Sequence, residues 1–158
     1  LDDVQHAKRL LAQTRKAHIK TMRQLELDTA VEFFHRAVRT HCTETEEATF
    51  HALVKTAQKS IGHPSGEFES HLNEIRRKSF AVLWRQDWFV IDRFKWLAND
   101  SHLFPNSDEH LQLTVDGGAA LNANDMDALR QVVSHLDSIR FRPASEQDMM
   151  AGSNIVRG

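Results

Sequence analysis

The sequence is poor in the residues that break or staple a chain. There is one cysteine, Cys42, in 158 residues, so no disulfide closes within the chain and a reducing, cytoplasmic compartment fits. Only three prolines (Pro64, Pro105, Pro143) and six glycines occur. They are clustered, and read as punctuation between long helices. Neither charge sign is in clear excess, with 20 basic against 22 acidic side chains, so bulk charge gives no reason to expect nucleic acid. No uninterrupted apolar run is long enough to cross a bilayer, because Arg85, Gln86, Asp87, Asp92 and Arg93 interrupt the most hydrophobic stretch. Sustained apolar and polar alternation with β-branched enrichment is also missing, which excludes all but a little sheet. Charged residues at 27% and apolar ones at 41% give a globular profile without a disorder signature. The length suits one domain with a proper core.

Catalytic and cofactor motifs are missing too. Ten histidines invite a metal reading, but no HExxH pair or Cys and His quartet occurs, and His35 and His41 lie about 120° apart on a helix. No GxxxxGK[ST], GxGxxG or GxSxG is present, so phosphate cradling and a nucleophile elbow are unsupported. The sequence therefore assigns no catalytic residue, no metal site and no cofactor to this segment. It begins at Leu1 and ends on SNIVRG, and reads as a piece of a longer protein.

What is there is a dense aromatic stretch. Ser79 to Trp96, SFAVLWRQDWFVIDRFKW, holds all three tryptophans and three of the nine phenylalanines. Phe80, Leu83, Trp84, Trp88, Val90, Ile91, Phe94 and Leu97 share one broad arc of a helical wheel. Opposite that arc, Phe68, Ile75, Val82, Phe89 and Trp96 recur every seventh residue, a stripe that drifts by about 20° per heptad on a straight helix. These patterns predict one central helix over 67–98, roughly 45 to 50 Å long.

Around it the chain reads as an all-α bundle of five or six helices. Val4, Ala7, Leu11, His18, Met22 and Leu25 line one side of a first helix, with Arg9, Lys16, Lys20 and Arg23 on another, a basic face open to an acidic partner or to solvent. The helix runs on or restarts at Asp28, through Phe33, Phe34, Ala37, Val38 and His41. Thr43 and Glu46 have capping-box spacing. The helix they start buries Phe50, Leu53, Val54, Ala57 and Ile61 and stops at Gly62 in a left-handed conformation, before Pro64. Asn99 to His110 is the clearest loop. A hairpin follows: one helix from Asp108 to Leu121, weakened by Gly117 and Gly118 at about 1 kcal/mol each, and a second capped by Asn124 with Met126, Leu129, Val132, Val133, Leu136 and Ile139 as its stripe. Residues 1–142 make a single helical domain, and 143–158 a linker or a tail docked by Met149 and Ile155.

Two features carry functional readings. Asp87 falls in the middle of the main apolar arc, which makes it a buried-charge candidate. It is either a perturbed acid in a pocket or half of an ion pair with a cation of the N-terminal helix or a histidine. The stripe through Val82, Phe89 and Trp96, flanked by Arg85, Asp92 and Arg93, mixes aromatics with arginine as interface hot spots do. It packs within the domain, forms a homodimer seam, or receives a protein or peptide.

The run Ala119-Ala120-Leu121-Asn122-Ala123-Asn124-Asp125-Met126-Asp127-Ala128-Leu129-Arg130, continuing to Val133 and Leu136, resembles the helix, short polar turn and helix near the C-terminus of seventy-kilodalton heat-shock chaperones of the DnaK type. The resemblance covers about residues 108–140. It implies a helical, lid-like region that binds or covers polypeptide, with the family's nucleotide-binding ATPase domain upstream and none of its residues in this segment. The tryptophan-rich helix departs from that pattern and implies an elaborated module.

Overall fold

The structure, a computed structural model, describes residues 1–142, and the tail reading for 143–158, with Met149 and Ile155, lies outside them. Among the described residues there are six α-helices and no strands: α1 (Asp2–Phe33), α2 (Glu44–Ser60), α3 (Glu67–Trp84), α4 (Asp87–Asn99), α5 (Ser107–Asn122) and α6 (Met126–Ile139). The all-α bundle read from the sequence is what the chain forms. In place of the single domain expected, it divides into two compact units, Leu1–Ser79 and the part from Phe80 on, with the boundary inside α3.

In the first unit α1 runs on through Asp28 without a restart, then passes into a π-helical turn, Phe34–Val38, and a 3₁₀ turn, Arg39–His41. The wide turn brings both of its apolar ends, Phe34 and Val38, into the interior. Phe34 stacks on Phe50 of α2, with ring centroids 3.6 Å apart and planes 8° from parallel. The expected capping box opens α2: Glu46 N–H donates to Thr43 Oγ1 at 3.2 Å, and Thr43 N–H donates to Glu46 Oε2 at 2.9 Å. The left-handed stop at Gly62 does not form, since no glycine among the described residues has a positive φ. That end is held from outside. Arg23 of α1 donates to the carbonyls of Ile61 at 2.9 Å and His63 at 2.8 Å, satisfying acceptors at the end of α2, and it pairs with Glu69 of α3 at 3.0 Å.

The second unit packs α4, α5 and α6 around Val90, Phe94, Leu97, Leu113, Leu129, Val133 and Leu136. Gly117 does not simply weaken α5. A Cβ there would come within 2.2 Å of the Phe94 ring, so the missing side chain is what lets that ring lie against the helix. Gly118 faces open space. The hairpin turn is also built differently from expectation. Asn124 sits at φ 54° and ends α5 in a Schellman arrangement, with Asp125 N–H donating to Ala120 O at 2.9 Å and Asn124 N–H to Leu121 O at 3.1 Å. Asp125 caps α6 by accepting from Ala128 N–H at 3.1 Å.

The single helix over 67–98 is two helices. The chain leaves α3 after Trp84, and Gln86 at φ −87°, ψ 122° starts α4. No proline or glycine marks the break. Its cause is a guanidinium: Arg130 of α6 donates from Nε to Trp84 O at 3.3 Å and from Nη2 to Arg85 O at 3.2 Å. Carbonyls that a continuous helix would use internally are satisfied by a side chain, so opening the helix leaves them partnered.

Candidate interaction surface

The break redistributes the residues singled out in the sequence. Asp87 is not buried: its side chain is 63% exposed, at the start of α4, where the helix dipole favours a carboxylate. It accepts from Arg130 Nη2 at 2.9 Å. The ion-pair reading holds in kind, but the partner comes from α6 instead of the N-terminal helix. The wheel misplaced Asp87 because the wheel assumes an unbroken helix.

The stripe of every seventh residue is also dismantled. Phe68, Ile75 and Val82 are buried, Phe89 is half-buried, and Trp96 is 43% exposed. Trp88, read as core, is exposed as well. Phe89 sits edge-on to the Phe80 ring at 5.6 Å. Arg93 is held by Asp137 of α6 in a two-pronged pair at 2.6 and 2.7 Å. Arg140 donates to the same carboxylate at 3.1 Å, and the Arg93 and Arg140 guanidinium carbons lie 5.7 and 5.3 Å from the centre of the Trp96 ring. Arg85 is exposed. The Trp96 surface is thus a fixed edge, with its arginines spent on Asp137 and on the rings.

The histidines serve the fold where they are enclosed. His110 Nε2 donates to the Leu97 carbonyl at 2.9 Å, and its ring stacks on Phe104. His71 Nδ1 lies 3.1 Å from Ser60 Oγ, joining α2 to α3. Among the described residues no group of His, Cys, Asp or Glu side chains is placed to hold a metal ion, and no helix is long and apolar enough to cross a membrane.

Among the described residues most of the exposed large apolar side chains lie on α1 and its N-cap: Leu1, Val4, Leu10, Leu11, Ile19, Met22, Leu25 and Phe33. Leu1 through Met22 are all exposed. The packed side of this helix is carried by Leu27, Phe34 and the contacts of Arg23 and Lys20, whose Cε lies beside Gly62. At about 100° per residue, the Val4, Leu11, His18, Met22 and Leu25 stripe points roughly 160° away from Leu27. Phe33, 39% exposed, continues it. The basic face Arg9, Lys16, Lys20 and Arg23 follows the packed side, and two of its four residues are engaged there. The sequence shows the stripe as one side of an amphipathic helix, without saying which side the chain covers. The signal that separates the two is the change of apolar phase between Leu25 and Leu27.

Compared with family models, curated proteins and solved structures, the chain matches none.

Proposed function

We propose that this chain is a non-enzymatic protein-interaction module whose working surface is the outward stripe of α1. One observation carries the reading: Val4, Leu11, Met22 and Leu25 are each between 43% and 58% exposed, and Leu27, the buried residue of this helix, lies nearly opposite them. An apolar stripe of this length on a water-facing helix marks an interaction site, and a helix of about 20 residues without tertiary support is marginal in water until something covers it. In its narrower form, supported by the helix, turn and helix of α5 and α6, the module is the lid-like part of a chaperone and what it covers is polypeptide. A cytoplasmic setting suits the lone cysteine.

The test is Leu11→Glu/Met22→Glu/Leu25→Glu beside wild type, at a concentration where sedimentation shows both to be monomers. The melting temperature is expected to be unchanged and the fluorescence enhancement of the apolar dye ANS to fall severalfold. A melting temperature lowered by several degrees, or unchanged dye binding, would show that the stripe packs on its own chain and would end the reading.

A further inference from the structure

Resting on that reading, we infer that the occupant of the α1 stripe is a second copy of this chain, paired antiparallel about His18. In the stripe, Val4, Leu11, His18, Met22, Leu25 and Phe33, reflection about residue 18 exchanges Leu11 with Leu25, brings Val4 within one residue of Phe33 and sets Met22 level with Thr14; the stripe stays on one side of a straight helix because its average spacing is close to 3.6 residues. Reversing a second α1 about that point sets Leu11 level with Leu25 of the other copy and Val4 level with the region of Phe33. Each exposed apolar end thereby meets another apolar end.

Charge selects the orientation. Lys8, Arg15 and Glu26 lie on the same flank of the stripe, within about 20° of one another. In a two-fold antiparallel pair each flank meets its own counterpart, so Glu26 of one copy falls between the levels of Lys8 and Arg15 of the other, and the contact occurs twice. All three side chains are exposed, and among the described residues none has an ion pair that would compete. A parallel pair would instead bring Glu26 against the flank holding Asp28 and Glu32, also twice, which is repulsive. The one like-charge approach in the antiparallel pair, Asp3 to Glu32, falls at its exposed ends, where salt screens it. Within the first unit the pairing is open: Lys20, Arg23, Gln24 and Leu27, through which α1 meets its neighbours, lie on the other side of the helix.

The experiment is sedimentation equilibrium of the full chain from micromolar to several hundred micromolar, with two complementary variants. Wild type is expected to dimerise. Lys8→Glu/Arg15→Glu and Glu26→Lys are each expected to weaken dimerisation by about tenfold or more, and an equimolar mixture of the two to recover it, because opposite charges then meet at both sites. In a Cys42→Ser background, His18→Cys is expected to form a disulfide with itself on oxidation, and Val4→Cys only with Phe33→Cys. Wild type that stays monomeric throughout, no recovery in the mixture, or self-linking of Val4→Cys would each overturn the antiparallel pair. A monomer with the dye binding and melting behaviour given above would leave the interaction reading standing with a different occupant.

Discussion

Arg130 and Asp87 meet across the break between α3 and α4: Nη2 lies 2.9 Å from Oδ1, while the same guanidinium takes the carbonyls of Trp84 and Arg85. The two partners are unequally placed, with the arginine side chain 23% exposed and the aspartate 63%. Arg130→Met keeps most of the stem and removes three donated bonds, and is expected to cost about 1–3 kcal/mol. Asp87→Asn removes one solvent-screened charge, and is expected to cost under about 1 kcal/mol. Urea unfolding of both variants checks the order. Equal losses would mean that the ion pair, not the carbonyl contacts, holds the junction.

Gly117 and Gly118 separate two effects that the sequence alone merges. Alanine at 118 gains helix propensity in open space and is expected to stabilise by up to about 1 kcal/mol. Alanine at 117 meets the Phe94 ring. Overpacking outweighs the same gain, and a net loss of about 1–2 kcal/mol is expected. Thermal unfolding with matched heating rates decides it, and stabilisation by both substitutions would contradict the close packing of Phe94.

Asp137 holds two arginines whose side chains are 16% and 3% exposed, Arg93 and Arg140. Asp137→Asn leaves Arg93 enclosed without its carboxylate and takes one partner from Arg140, and a loss of about 2–4 kcal/mol is expected, together with a shift of the tryptophan emission as the neighbours of Trp96 loosen. An Asp137→Asn protein with unchanged stability would show that solvent already satisfies the pair.

The helices were legible in the sequence because each carries its own period and several carry their caps: Thr43 with Glu46, and the stripe from Met126 to Ile139. What was not legible depended on residues far apart in the chain. The break after Trp84 is made by Arg130, and nothing local announces it. The buried positions Leu83, Val90, Phe94 and Leu97 keep the phase of a continuous helix across the break, so periodicity reads them as one. The exposure of Asp87 follows from that same break. Asn124 looked like an N-cap because it precedes a helix. Its left-handed backbone and the cap made by Asp125 emerge only once both helices are in place. On α1 the composition of the stripe was plain, but which of two apolar phases the chain itself covers is a tertiary fact, set by the docking of Leu27 and Phe34.

The most direct measurement of the central claim is amide hydrogen exchange over residues 4–22 at a few micromolar and at several hundred micromolar. At the low concentration these amides are expected to exchange within seconds to minutes, as in a helix with no tertiary cover, while those of α6 stay protected. At the high concentration protection of residues 4–22 is expected to rise at least about tenfold as the second copy covers the stripe. Protection of that segment as strong at the low concentration as in α6 would contradict the account, because the stripe would then be covered by its own chain.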